Sequence, residues 1–88
     1  MEPAPAVLTV LGKPDCHLCH VMAEAVRDAI AGLHATLVER DVREDPETLA
    51  RYRYEIPVLF LGGRELARHR VAAAELRAQL LELGITAR

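Results

Sequence analysis

The amino-acid sequence predicts an α/β fold in which one four-stranded mixed sheet carries helices on both faces. Two short apolar runs, AVLTVL at 6–11 and PVLFL at 57–61, are bounded by proline or glycine and have the composition of buried strands. After the first run, apolar residues recur at spacings of three and four, which indicates an amphipathic helix. The predicted order of elements is βαβ followed by αββα. A chain of 88 residues is long enough for a single domain, 1–88, with a modest core.

The first half of the chain is predicted to form the βαβ unit. The strand at 6–11 is apolar throughout, so we expect both of its faces to be buried. Asp15 is a favoured N-cap residue and would begin a helix that ends near Gly32. The run ATLVERD at 35–41 would be the second strand. It would lie parallel to the first, because the helix between them makes a right-handed crossover.

The second half of the chain is predicted to add a helix, two antiparallel strands and a final helix. Pro46 suits the first position of a short helix, and Pro57 is tolerated as the first residue of a strand. Gly62 and Gly63 supply a tight turn between two strands, which makes those strands antiparallel. In chain order, the predicted segments are a polar loop (42–46), a helix (47–53), a strand (57–61), a second strand (64–68) and a helix (71–84).

The composition argues against several classes of protein. A net charge of −2 gives no electrostatic case for nucleic acid as a partner. No run approaches the roughly 18 apolar residues that cross a membrane, and no basic residues precede the first apolar run, as they would in a secretion signal. We therefore expect a cytoplasmic monomer without a membrane partner. Structural disulfides are rare in the cytoplasm, so paired cysteines there are more often catalytic or metal-binding.

The stretch KPDCHLCH at 13–20 holds both cysteines and two of the four histidines. It can be interpreted as a haem attachment sequence, as a metal site or as a redox-active dithiol at the start of a helix. A haem would require export and a distant axial ligand. Four ligands within residues 16–20 cannot all converge tetrahedrally on one zinc ion. The dithiol is therefore the favoured interpretation.

The predicted position of the two cysteines assigns them different roles. Cysteines three residues apart at a helix start lie on one face, with Cα atoms about 5–6 Å apart and within disulfide reach. Cys16 would lie among the free N–H groups of the helix N-terminus, which favour the nucleophilic thiolate. His17, when protonated, and Lys13, from the strand end, would add positive charge. Cys16 is thus expected to attack, and Cys19, one turn deeper, to resolve the mixed disulfide.

Three segments resemble the thioredoxin superfamily, and most closely the glutaredoxin-like proteins. LTVLGKPDCHLC resembles the strand and active-site loop, YEIPVLFL the segment that holds a cis-proline beside the dithiol, and LGGRELAR the hairpin that follows. The resemblance implies a thioredoxin-like fold, with Cys16 as nucleophile and Cys19 as resolving cysteine. It also implies a cis bond between Ile56 and Pro57, with the Ile56 backbone pairing with a bound peptide or glutathione.

The sequence departs from glutaredoxins at two places. His17-Leu18 stands where Pro-Tyr is common, and RHRVAAAE replaces the Gly-Gly and acidic signature that helps to hold glutathione. Arg68, His69 and Arg70 could instead meet a carboxylate of glutathione or of a protein substrate. His20 is interpreted as a solvated helix residue.

The expected function is thiol–disulfide oxidoreduction, in which protein or glutathione disulfides are reduced or exchanged. No metal or organic cofactor is needed for this cycle, and glutathione is a candidate co-substrate. Reducing equivalents would come from glutathione or from a reductase protein. The alternative is a non-catalytic, glutaredoxin-like binding module that carries a metal or an iron–sulfur cluster.

Overall fold

The structure, a computed structural model, describes residues 3–88; Met1 and Glu2, the first residues of the predicted domain, lie outside this range. The strands are β1 (Ala6–Gly12), β2 (Ala35–Asp41), β3 (Val58–Leu61) and β4 (Arg64–Arg68). The helices are α1 (His17–Ile30), α2 (Pro46–Tyr52) and α3 (Ala73–Glu82), with a 3₁₀ turn at Val42–Glu44. The predicted order, βαβ followed by αββα, is confirmed.

The four strands form one mixed sheet in the order β2-β1-β3-β4. β1 and β2 are parallel over their whole length, from the Ala6–Ala35 pair to the Gly12–Asp41 pair. β3 is antiparallel to both β1 and β4. The carboxyl ends of β1, β2 and β4 therefore meet the amino end of β3 at one edge of the sheet, and α1 begins above this edge.

The main core lies between one face of the sheet and helices α1 and α3. Leu8 and Val10 of β1 point into it, and Leu76 and Leu80 of α3 cover them. The Arg77 guanidinium of α3 donates hydrogen bonds to the carbonyls of Ala29 and Ala31, at 3.0 and 2.7 Å. These carbonyls belong to the last turn and the C-cap of α1, where helical partners are lacking, so the bonds join the two helices. Within residues 3–88, no helix has the length and apolar character needed to cross a membrane.

The opposite face of the sheet is covered only in part. Leu11, Val42 and Val58 are buried there beneath α2, and the rings of Tyr52 and Phe60 meet edge to face with centroids 5.8 Å apart. Further along the sheet, Val7 of β1 is 41% exposed and Val38 of β2 is 37% exposed. The expectation that both faces of β1 are buried is therefore wrong, because α2 has only seven residues and covers one end of the sheet.

Candidate active site

The ends of four neighbouring strands bring the site together. Gly12 pairs with Asp41 on one side. On the other side Leu11 pairs with Val58, which places Pro57 next to Gly12 along the antiparallel ladder. The Pro57 carbonyl in turn accepts a hydrogen bond from the His69 N–H at 2.7 Å. Asp41, Gly12, Pro57 and His69 thus form one row along the sheet edge from which the cysteine loop departs.

Cys16 is the N-cap of α1. It has an extended backbone, and its Sγ accepts a hydrogen bond from the Cys19 N–H at 3.2 Å. The prediction that Asp15 caps the helix is wrong by one residue, because the sulfur takes the free N–H that a capping oxygen would normally take. Cys16 and Cys19 are joined by a disulfide, and their Cα atoms are 5.2 Å apart. On reduction, the Cys16 sulfur faces the N–H groups that favour a thiolate.

Cys19 is buried and packs tightly against the end of β1. Only 5% of the residue is exposed. A Cβ atom added to Gly12 would lie 2.7 Å from the Cys19 Sγ and 2.8 Å from its Cβ, closer than real Cβ contacts come. Gly12 is therefore part of the site, although the sequence indicated only a strand boundary there. The available signal was an isolated glycine at the end of an apolar strand, which often marks a close backbone approach.

The segment before β3 contains Ile56 and Pro57, the two residues that the resemblance singled out. The Ile56–Pro57 peptide bond is cis, and Pro57 is fully buried. Ile56 is partly buried. Ile56 lies outside the helices and strands, and within residues 3–88 no backbone hydrogen bond is made by its N–H or its carbonyl. Both groups are thus free to bond to a partner.

The cysteine loop is fixed by backbone contacts and by one histidine. The Lys13 carbonyl accepts a hydrogen bond from the Cys16 N–H at 3.3 Å. The His20 Nε2 donates to the Pro14 carbonyl at 2.7 Å, which ties the first turn of α1 back to the loop before it. His20 therefore has a structural partner that the sequence did not indicate. His17 is exposed at the first position of α1, and its effect on Cys16 stays a prediction.

Asp41 at the sheet edge is held in its ionised form. The Arg43 side chain donates to its carboxylate at 3.0 and 2.7 Å, and the Arg43 N–H donates at 2.8 Å. The Arg43 side chain, followed by its backbone N–H, lowers the pKa of Asp41 from 3.8 to about 2. Asp41 is thus a fixed anion near neutral pH, which excludes it as a proton donor to a departing thiolate.

The three cations at the end of β4 differ in their partners. The Arg68 guanidinium donates to Glu65 at 2.6 and 3.1 Å and to Glu55 at 3.0 Å, so two carboxylates of the chain already bind it. The His69 Nε2 lies 4.0 Å from Glu55. Arg70 forms no ion pair with any residue that the structure describes. Of these three cations, Arg70 is therefore the one without a carboxylate partner in the described chain.

Metal ligands do not gather around the cysteines in the described part of the chain. Among residues 3–88, no three His, Cys, Asp or Glu side chains are grouped closely enough to hold a metal ion. His20, the histidine that directly follows Cys19, is hydrogen-bonded to the Pro14 carbonyl instead. The arrangement is one of two cysteines at a helix start, of which Cys16 is partly exposed and Cys19 is buried.

The chain is similar to known proteins over most of its length. The family model of the glutaredoxin-like domain (DUF836) matches residues 7–81, a range that includes both cysteines and the cis-proline. The X-ray structure of target protein XcR50 from X. campestris is 34% identical, with a TM-score of 0.69, and the match covers 85% of this chain and 96% of that one. The solution structure of XcR50 is 33% identical, with a TM-score of 0.69 and coverage of 91% and 97%. These likenesses agree with the resemblance seen in the sequence.

Proposed function

The chain belongs to the glutaredoxin-like domain family, and on that premise we propose that it is a thiol–disulfide oxidoreductase acting through Cys16 and Cys19. The observation that carries the proposal is the asymmetry of the pair. The Cys16 sulfur accepts the Cys19 N–H at the start of α1, while Cys19 is buried against Gly12. One thiol is thus suited to attack an external disulfide, and the other to react only within the protein.

The cycle begins with the reduced pair. The Cys16 thiolate attacks one sulfur of a substrate disulfide, forms a mixed disulfide and expels the other substrate sulfur as a thiolate, which takes a proton from solvent. The Cys19 thiolate then attacks the Cys16 Sγ and releases the second substrate thiol. Two electrons have passed to the substrate, and Cys16–Cys19 is oxidised. A Cα separation of 5.2 Å suits this step, and glutathione or a reductase protein closes the cycle.

The segment around Pro57 is the proposed binding strip for the substrate chain. The Ile56 N–H and carbonyl have no backbone partner outside the regular elements of residues 3–88, so an extended peptide can pair with them. Lys13 and His17 flank the same site and would favour an anionic sulfur. The cytoplasmic location and monomeric state expected from the sequence belong to the same proposal.

A trapping experiment tests the roles of the two cysteines. Each single variant, Cys16→Ser and Cys19→Ser, is incubated with glutathione disulfide and analysed by intact mass. We expect Cys19→Ser to form a stable mixed disulfide, because no thiol remains to resolve it, and Cys16→Ser to form none. Cys16→Ser should also lose all disulfide reductase activity.

Two other results would contradict the proposal in different ways. An adduct on Cys16→Ser alone would reverse the two roles. Unreactive variants together with a coloured or metal-loaded wild-type protein would favour the carrier of a metal or iron–sulfur cluster over the enzyme.

A further inference from the structure

A groove of about 260 Å³ lies beside the two cysteines, between α1 and the loop that joins β4 to α3. Its position relative to the dithiol follows from two neighbours. Leu18 stands between the two cysteines in the chain, and the His69 N–H is bonded to the Pro57 carbonyl. We call it the cationic groove, and it is lined by Leu18, Val21, Met22, His69, Arg70 and Val71.

The α1 side of the cationic groove is apolar and uncovered. Leu18 is 42% exposed and Val21 is 46% exposed. They lie three residues apart and thus next to each other on the helix surface. Met22 and Val26 of the same helix lie in the main core, whereas Leu18 and Val21 remain outside it. An apolar rim at the entrance to a reactive site is typical of a surface that a partner covers.

The other side of the cationic groove carries His69, which lies 4.0 Å from Glu55, and Arg70, which has no carboxylate partner in the described chain. No carboxylate is among its lining residues. Arg70 has no ion pair within residues 3–88. Other arginines, such as Arg64, share that property, but Arg70 is the arginine that lines this groove. A free guanidinium in a chain of net charge −2 is a local attraction for an anionic partner.

The loop that presents these charges is held by its backbone. His69 has a φ of +69°, in the left-handed region that favours glycine. Its N–H bonds to Pro57 and the Arg70 N–H bonds to the Arg68 carbonyl, both at 2.7 Å. The positions of the two side chains are therefore set by main-chain contacts with the active-site row. Changes to the Arg70 side chain leave those contacts in place.

We propose that the cationic groove binds an acidic, partly apolar stretch of a protein substrate next to the cysteine that is exchanged. The carboxylate is assigned to a protein substrate and not to glutathione, because glutathione has no apolar side chain to cover Leu18 and Val21. The inference rests on the proposed function and narrows its substrate to proteins with an acidic residue and an aliphatic residue beside the reactive disulfide.

Two peptide disulfides of opposite charge test the preference. Each is the disulfide-linked dimer of an acetylated, amidated pentapeptide with a central cysteine, flanked by leucine and glutamate in one and by leucine and lysine in the other. We expect kcat/KM to be roughly twofold to fivefold higher for the glutamate peptide, because an exposed ion pair forms with Arg70. The preference should shrink as salt is added, since salt screens exposed charges.

Charge-reversal variants show whether Arg70 is the cause. Arg70→Glu should abolish or reverse the preference for the glutamate peptide. Arg64→Glu makes the same change of net charge at the opposite end of β4, on a residue with no ion pair in the described chain, and should leave the preference intact. Each rate is divided by the same protein's rate with hydroxyethyl disulfide, a small neutral substrate. Equal preferences in wild type and Arg70→Glu would overturn the proposal.

A binding measurement distinguishes an error in the proposal about the groove from an error in the proposed enzymatic function. The monomeric glutamate peptide, with serine in place of cysteine, is titrated into the oxidised protein while methyl NMR signals are followed. Shifts at Leu18 and Val21 that weaken in Arg70→Glu are expected whether or not the protein turns over. Reduction of hydroxyethyl disulfide without such shifts would overturn the groove and leave the proposed function standing. Tighter binding of free glutathione at the same residues would overturn the assignment to a protein partner.

Discussion

The contact between Gly12 and Cys19 allows a prediction about a single residue. Gly12→Ala would place a Cβ 2.7 Å from the Cys19 Sγ, so the sulfur or the strand must move. We expect a loss of about 1–3 kcal/mol in the free energy of unfolding, the usual range for an overpacked core. The loss should be larger in the oxidised protein, where the disulfide fixes the Cys19 sulfur, so the reduction potential should rise.

Urea unfolding of both redox forms and a redox titration check this expectation. Gly63→Ala is the matched control, because Gly63 does not have a positive φ and nothing lies within 4 Å of an added Cβ. Equal losses in the two variants would mean that the close approach of β1 to the cysteine has no special effect.

The pair formed by Asp41 and Arg43 predicts how stability depends on acid. The folded-state pKa of Asp41, about 2, lies below its ordinary value of 3.8. The group therefore adds stability that is fully present above pH 3.8 and is lost as the pH falls through about 2. In Arg43→Gln we expect the Asp41 pKa to rise towards its ordinary value. The stability difference from wild type should then disappear near pH 2.

An NMR titration of the side-chain carboxyl carbons measures this pKa directly. Arg40→Gln serves as a control, because Arg40 pairs with Glu44 on the same segment. If the pKa of Asp41 stayed at its wild-type value in Arg43→Gln, the hydrogen bonds from that side chain would not be its cause.

Helix α3 lacks a cap, and its sequence offers a simple repair. Its N-cap is Ala72, which has an extended backbone (φ −91°, ψ 131°) and no side-chain hydrogen bond, while Glu75 already stands at the third helical position. Ala72→Ser would create the S-x-x-E pattern of a capping box. We expect the free energy of unfolding to rise by about 1 kcal/mol.

The control for the cap is a serine that cannot serve as one. Ala74→Ser introduces the same side chain inside the same helix and should give no gain, because serine is a poorer helix former than alanine. Both variants are compared by urea unfolding. If Ala72→Ser were no more stable than Ala74→Ser, the first turn of α3 would not be limited by its free N–H groups.

The sequence predicted the order and type of the helices and strands better than it predicted which of their faces are buried and where they begin and end. The continuous apolar run of β1 indicated a strand buried on both faces. Whether Val7 is covered, however, depends on the length and placement of α2, which begins more than thirty residues later. The polar segment after β2 contains Val42, which is buried, because Asp41 caps a 3₁₀ turn there. Both misses concern contacts between elements, which local patterns do not contain.

For the whole molecule, the fold and the two cysteines could be predicted because their signals are local. A cysteine pair after an apolar strand and before a helical stripe needs no knowledge of distant residues. The pairing of Arg68 with Glu55 across thirteen positions, and the approach of Gly12 to Cys19, arise only when the chain has folded. The site is thus predictable in its chemistry and less so in the residues that support it.

The last prediction concerns the stability of the molecule in its two redox states. Closing a loop as short as Cys16–Cys19 raises the free energy of the unfolded chain by about 2 kcal/mol at most. The disulfide therefore adds little to the free energy of unfolding. The main core, built around Leu8, Met22, Leu59 and Leu80, contains neither cysteine. In the reduced form, a Cys16 thiolate at the helix N-terminus stabilises the folded protein by about 0.3–2 kcal/mol. This stabilisation offsets the loss of the disulfide.

We therefore expect the oxidised and reduced proteins to differ by less than about 2 kcal/mol in the free energy of unfolding. By the thermodynamic cycle, the reduction potential of the pair then lies within about 40 mV of its value in the unfolded chain. Such a pair can be oxidised and reduced repeatedly without loss of the fold. Urea unfolding with and without reductant measures the difference, and the double variant Cys16→Ser/Cys19→Ser should match the reduced protein to within the thiolate contribution. If reduction unfolded the chain, the disulfide would be a structural bond and could not turn over.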